Sequence, residues 1–137
     1  MNLIATLEIP MTSIVSESNC SDHWTKKRKR RIMHDRIIRM CWTSKGVRMK
    51  LPCAVKLSRV GPRKMDDDNL RGALKSIRDT IADLILPGMA KGRADGDVRI
   101  EWLYDQIKGM PGLRIDLYEK PKEENQCQQI KKKKNLL

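Results

Sequence analysis

The alternation of apolar and polar residues along the chain predicts four β-strands. The first covers residues 3–9. The second covers residues 51–60, with Pro52 near its start, where proline is tolerated. The last two, at about 98–104 and 113–117, are separated by KGMPG, so we expect them to form an antiparallel hairpin.

Two longer segments have the three- and four-residue spacing of helices. Residues 22–42 contain no Pro or Gly, and Ser21 or Asp22 supplies an N-cap. The second half of this helix is expected to pack on the core through Met33, Ile37, Met40 and Cys41. The second helix, at 69–86, carries one apolar stripe made by Leu70, Leu74, Ile77, Ile81, Leu84 and Ile85.

The predicted order is therefore β-α-β-α-β-β, typical of a small α/β domain with a mixed sheet and helices packed on it. A chain of 137 residues suits one domain, which we place at 1–120. The chain has no Phe, so Ile, Leu, Val and Met must supply the core. The polar, Lys-rich segment 121–137 is expected to be a disordered tail.

Charge changes the picture, because the formal net charge is +12. So strong a positive charge favours a polyanionic partner, and nucleic acid leads because no amphipathic basic helix with a broad apolar face suggests a membrane surface. Phosphate contact is assigned to a run at the start of the first helix, although a solvated helix end is the alternative. The run is Lys26, Lys27, Arg28, Lys29, Arg30 and Arg31.

The absence of certain sequence patterns predicts where the protein is located and what its cysteines do. No run reaches the roughly 18 apolar residues of a membrane span, and no signal pattern opens the chain, so we expect a cytoplasmic protein. The cysteines are scattered without CxxC pairs. Structural zinc is therefore not expected, and some of the thiols should simply be core residues.

Acidic residues are concentrated at Lys64–Lys75, KMDDDNLRGALK, in this basic chain. If residues 64–68 are extended, Asp66 and Asp68 point the same way and can share one cation. Carboxylate oxygens suit Mg²⁺ or Mn²⁺. Asp68, Lys75 and Asp79 fall on one helix face, where Lys75 can neutralise charge on a phosphate; an ordinary exposed Lys75–Asp79 pair is the alternative.

A second acidic group precedes the third strand at Asp95 and Asp97. If the second and third strands are neighbours, this loop can bring a third carboxylate to the same cation. The chemistry would then be phosphodiester hydrolysis, with the metal polarising the phosphoryl oxygen and activating water. The alternative is purely structural: DDDN caps a helix, and DGD makes a turn.

The combination of DDDNL at 66–70, the following Lys75 and Asp79, and ADGDVRIEW at 94–102 resembles the RusA-like Holliday-junction resolvases, often encoded by phages and prophages. SESNCSDHWTKKRKRR at 16–31 is similar to the N-terminal segment of phage-type members. The resemblance covers about residues 1–120. It implies a Mg²⁺-dependent endonuclease that acts as a homodimer on four-way DNA junctions in recombination and repair, in association with the nucleoid.

The resemblance also assigns roles to individual residues. It implies that Asp66, Asp68 and Asp95 bind the metal and that Lys75 is the catalytic lysine. Asn69, Asp79 and Asp97 are further candidates for the site. Two positions depart from the family pattern: Gly72 stands where the best-known type has its lysine, and Ala94 replaces the first Asp of an acidic pair.

Three functions therefore remain open at this point. The first is the metal-dependent junction endonuclease. The second is a catalytically inactive nucleic-acid-binding relative with the same fold. The third is a small metal-dependent phosphohydrolase or RNase that uses the same acids.

Overall fold

The computed structural model describes residues 1–11, 14–15, 23–89 and 93–121. The predicted tail and the two N-cap candidates, Ser21 and Asp22, lie outside these residues. The predicted order of helices and strands is confirmed, with one 3₁₀ turn added before the third strand. The elements are β1 (Asn2–Pro10), α1 (Trp24–Lys45), β2 (Cys53–Gly61), α2 (Asp67–Ile85), the 3₁₀ turn (Ala94–Gly96), β3 (Ile100–Lys108) and β4 (Gly112–Glu119).

The four strands form one mixed sheet in the order β1-β4-β2-β3. β4 runs antiparallel to both of its neighbours, and β3 runs parallel to β2. Because α1 and α2 contact each other, both helices cover the same face of the sheet. The chain is thus a two-layer α/β domain, as predicted, and α2 is the crossover between two adjacent parallel strands.

The predicted hairpin of the last two strands is wrong, because β2 lies between β3 and β4. The connection at 109–111 passes the end of β2, where Gly109 N donates to Gly61 O at 3.1 Å. β4 is an interior strand, with Leu113, Ile115 and Leu117 all buried. Alternation identifies a strand but not its neighbours, and here the apolar β4 sits in the sheet interior while β3 occupies the edge.

The core lies between the helices and the covered face of the sheet. The apolar stripe of α2 is confirmed at Leu70, Leu74, Ile77 and Ile81, which are all buried. Beneath it lie the buried sheet residues Val55, Leu57, Ile115 and Leu117. Cys53 is also fully buried, as expected for a thiol that serves as a core residue.

The predicted core face of α1 is partly wrong. The buried residues are His34, Ile38 and Trp42, whereas Met33 and Met40 are 44% and 68% exposed. Both sets are helically spaced, so the pattern alone could not choose between them. In the observed packing the adjacent Asp35 faces α2, where Thr80 Oγ1 donates to Asp35 Oδ1 at 2.9 Å.

Both helices begin at other residues than the sequence predicts. His23 caps α1, since its Nδ1 accepts a hydrogen bond from Thr25 N at 3.3 Å. At the other end, Gly46 takes the left-handed conformation with φ 62°, which glycine adopts without strain. α2 begins at Asp67 rather than Asn69, after an extended Asp66. In the described part of the chain, no helix is long and apolar enough to cross a membrane.

Candidate metal and nucleic-acid site

The acidic triplet lies at the N-terminus of α2, with all three side chains exposed. The prediction that Asp66 and Asp68 point the same way assumed an extended backbone through residue 68. That assumption is wrong, because Asp67 and Asp68 already belong to the first helical turn. Carboxylates there are favoured by the positive end of the helix dipole. Within the described residues, no side chain binds any of the three carboxylates by a hydrogen bond or ion pair.

One exposed face of α2 carries the residues that the sequence placed together. Asp68, Gly72, Lys75 and Asp79 follow one another at four, three and four residues, opposite the buried stripe. Lys75 forms no ion pair within the part of the chain that is described. It acts on Asp79 through its charge alone. The alternative of a close Lys75–Asp79 pair is therefore not found.

A second group of charges lies further along α2, where the 3₁₀ turn packs against the helix. Arg78 Nε is 3.4 Å from Asp95 Oδ2, and Arg78 Nη2 donates to Asp95 O at 3.0 Å. Burial raises the pKa of Asp79, the negative charge of Asp95 raises it further, and Lys75 opposes the shift. Asp79 thus lies within electrostatic reach of both Asp95 and Lys75.

The acidic triplet and Asp95 are separated within one chain. Arg78, which holds Asp95, follows Asp68 by ten residues, or about 15 Å along a helix. The sheet gives the same result. Asp95 O accepts a hydrogen bond from Trp102 Nε1, whereas Met65, next to the acidic triplet, donates one from its main-chain N to Gln106. These two residues of β3 are four positions apart, which is about 13 Å along a strand. Such carboxylates cannot share one Mg²⁺, whose ligands lie at about 2.1 Å.

The cause of this separation is the direction of the strands. β2 and β3 are neighbours, as the prediction required, but they are parallel. The loop after β2 and the loop before β3 therefore lie at opposite ends of these two strands. Among the residues described, no group of three His, Cys, Asp or Glu side chains is placed to hold a metal ion.

The other predicted site residues have clear local positions. Asp97 ends the 3₁₀ turn, and its carboxylate accepts from Arg99 N at 2.9 Å and from Arg99 Nη2 at 2.8 Å. These hydrogen bonds lower the pKa of Asp97 to about 2. Asn69 is half-buried in the first turns of α2. Ala94 is completely buried, so an aspartate here would bury its charge.

No contact within the described residues explains Gly72. It lies in the middle of an exposed helix face, and a Cβ added there would meet no atom within 4 Å. A glycine inside a helix costs about 1 kcal/mol relative to alanine. The sequence suggested that the backbone of another segment approaches Gly72 closely. No described part of the same chain does so.

The basic run lies beside the same half of α2. Asp35 on α1 contacts Thr80 on α2, and closer to both N-termini Arg31 and Ser76 line one groove. β1, β2 and β3 all run in one direction, so the two helices that connect them in turn also run in the same direction. This puts residues 26–31 level with the first half of α2. Four of the six cations, Lys26, Arg28, Lys29 and Arg31, are exposed.

The sequence reasoning missed a pocket of about 400 Å³ between the start of α2 and the edge strand β3. Its walls include Trp102 and Tyr104, both half-buried. An arginine of α2 stacks on each ring: Arg78 lies 4.9 Å from the Trp102 centroid, and Arg71 lies 5.5 Å from that of Tyr104. The available signal was the alternation of two large aromatic residues in a chain with only three Trp, two Tyr and no Phe.

A scan against models of protein families found no family that matches the chain. A search of curated proteins likewise found no match. Function therefore has to be inferred from the residues and their arrangement.

Proposed function

We propose that the chain is a Mg²⁺-dependent, structure-selective DNA endonuclease that acts as a homodimer and resolves four-way junctions by paired nicks. The sequence motif resembles that of RusA-like resolvases, and the net charge of +12 suits a DNA partner. Because the acidic triplet and Asp95 lie too far apart in one chain to share a cation, we propose that a second copy completes the metal site.

The observation that carries this proposal is Gly72, whose exposed position on α2 is open to the backbone of a second copy. Residues 66 and 78 are equally distant from Gly72 in sequence. A two-fold axis that passes between the Gly72 residues of two copies, perpendicular to both α2 helices, brings Asp66 of one copy level with Arg78 of the other along the helix direction. Arg78 holds Asp95, and we propose that in the dimer this aspartate completes the acidic group of the other copy. A glycine at the crossing lets the two helix backbones approach closely, which explains its open surroundings.

In such a dimer, Asp66 and Asp68 of one copy and Asp95 of the other would hold Mg²⁺. The cation supplies polarisation of the phosphoryl oxygen and activation of water. Lys75 lies on the same exposed face and would neutralise charge that develops on the phosphate during cleavage. Asp79, beside Lys75 and Asp95, would fix the position of the lysine through their opposite charges.

The substrate class follows from symmetry and charge. A two-fold dimer presents two identical sites, which suits the two-fold related strands of a four-way junction. The basic runs of the two copies lie beside the two sites and would hold the phosphates of the junction arms. In this arrangement the Lys and Arg residues of the basic runs would bind the DNA, and the acidic residues would cleave it.

A mixing experiment tests the shared site. Asp68→Asn and Asp95→Asn are purified separately, each expected to bind a labelled four-way junction but not to cut it in Mg²⁺. In a mixed dimer, one site carries both substitutions and the other carries neither. Random association should therefore restore about a quarter of the wild-type sites, seen as nicks in single strands. Wild-type protein, and each variant alone, are the controls.

Each outcome separates the candidate functions. Restored nicking on mixing supports the dimeric endonuclease. If wild type cuts the junction but mixing restores nothing, the shared site is wrong. Tight junction binding without cleavage in Mg²⁺ or Mn²⁺ favours the inactive DNA-binding relative. Preferential cleavage of RNA or nucleotides favours the phosphohydrolase or RNase.

A further inference from the structure

The pocket between α2 and β3 combines features that suit a nucleobase. It is open to solvent, and its volume of about 400 Å³ lies within the range of about 300–1,000 Å³ typical of small-molecule sites. Its charged walls pair the cations Lys64 and Arg71 with the anions Asp67 and Asp105. Balanced charge of this kind favours a neutral, polar ring over a free phosphate.

The aromatic wall is held in place. Arg78 Nη1 donates to Tyr104 Oη at 2.8 Å, which fixes the tilt of the ring. Beside it, Gln106 is bonded to both main-chain groups of Met65, at 2.7 and 2.8 Å. The segment that enters the acidic triplet is thereby joined to β3. A pocket with fixed walls loses little conformational entropy when it binds a ligand.

Arg71 completes the stacking surface. Its exposed guanidinium stacks on Tyr104 and, in the described chain, forms no hydrogen bond or ion pair. Its donors are therefore available to a ligand. Aromatic rings together with arginine are the groups on which unpaired bases stack in single-stranded DNA sites.

We infer that this pocket holds one unstacked nucleotide of the DNA strand at the branch point, with its base against Tyr104 and Arg71. The inference rests on the proposed function and deepens it, because the pocket adjoins the acidic triplet through Asp67. Lys64 then lies where the adjacent phosphate enters. Selectivity for branched DNA follows, since an unpaired base enters the pocket at a smaller unstacking cost than a paired base.

A fluorescence experiment without divalent cations tests this inference. A duplex carrying 2-aminopurine as a single unpaired base is compared with the same duplex fully paired. Wild-type protein should quench the unpaired 2-aminopurine on binding and should prefer the bulged duplex. Tyr104→Leu should abolish the quenching and reduce the preference about tenfold, whereas Tyr104→Phe should keep both.

The matched control is Tyr118→Leu, because Tyr118 is also half-buried on a strand but lies on the opposite face of the sheet. It should leave quenching and preference unchanged. Circular dichroism checks the fold of each variant. If Tyr104→Leu does not fold, Arg71→Gln at an exposed position should weaken the quenching instead.

Quenching that survives Tyr104→Leu or Arg71→Gln in a folded protein would overturn the inference, as would wild-type protein that leaves the unpaired base fluorescent. Because no cleavage occurs in this assay, its result is independent of the mixing experiment. A protein that cuts junctions without quenching keeps the proposed function and loses the pocket. Quenching without any cleavage keeps the pocket in a DNA-binding protein.

Discussion

At the scale of single residues, the pKa values of two aspartates near the site are shifted in opposite directions from that of an ordinary carboxyl group. The pKa of Asp79 is raised by burial and by the charge of Asp95, whereas hydrogen bonds from Arg99 lower the pKa of Asp97 to about 2. Asp97 is thus bound within its own turn. The ionised carboxylate of Asp79, near the proposed site, is less stable than an ordinary exposed carboxylate.

The raised pKa of Asp79 predicts how stability depends on pH. The folded state holds the proton of Asp79 more tightly than the unfolded state, so the ionised group destabilises the protein at pH 7. Asp79→Asn should therefore raise the free energy of unfolding at pH 7, by less than about 1 kcal/mol because the group is partly solvated. Denaturant titrations should show the gain vanishing as pH falls through the folded pKa and below 3.8.

Asp97→Asn is the matched control, since its pKa is shifted the other way. That variant should be less stable than wild type at pH 7, and the difference should fade as pH falls from 3.8 through about 2. If both variants change stability in the same direction at pH 7, the assigned environment of Asp79 is wrong.

At the scale of elements, α2 is the organising helix of the molecule. Its apolar stripe fills the core, its arginines face β3, and its outward face carries Asp68, Lys75 and Asp79 around Gly72. A helix that served only the core would gain stability from alanine at residue 72. The proposed contact with a second copy rests on this glycine.

Gly72→Ala should raise the stability of the single chain by about 1 kcal/mol, because alanine favours the helix and its Cβ meets no neighbour. The same substitution should weaken self-association and junction cleavage, because the Cβ separates the crossing helices. Thermal unfolding at low concentration and analytical ultracentrifugation measure the two effects. Ser44→Ala, at an exposed position of α1, should leave self-association unchanged. Unaltered self-association in Gly72→Ala would place the interface elsewhere.

At the scale of the whole molecule, the two faces of the sheet have different surroundings. Both helices cover one face, and the basic run and the acidic triplet are on that side. On the other face, charges are matched within the sheet, as where Thr6 Oγ1 and Arg114 Nε donate to Asp116 Oδ1 at 2.7 and 3.3 Å. The helical layer is therefore the face we expect to meet DNA.

Replacing both Arg28 and Lys29 with Gln should make the binding constant less sensitive to salt. The negative slope of log binding constant against log salt should become shallower by about 2, one for each lost phosphate contact. The fold should not change, because both side chains are exposed. Junction titrations at several salt concentrations, without divalent cations, measure the slope. Arg48→Gln with Lys50→Gln removes the same charge beyond the other end of α1 and should leave the slope unchanged. Equal slopes for the two double variants would show that charge acts without a specific surface.

The sequence by itself determined the kinds of element, their order and the α2 face that carries Asp68, Lys75 and Asp79. These are local properties, since a period of two or of 3.6 residues is written directly in the chain. It could not choose the neighbours of β3 and β4 or the rotation of α1. Several arrangements bury the same apolar residues, and only packing selects among them.

The tertiary structure alone decided how the candidate site is divided. Parallel pairing of β2 and β3 sends the loops that carry Asp66 and Asp95 to opposite ends of these strands, so sequence order could not show that the acids lie far apart within one chain. The same packing brings two arginines of α2 onto Trp102 and Tyr104 and forms the pocket beside them. Contacts between distant residues depend on strand direction and order, which the local pattern does not encode.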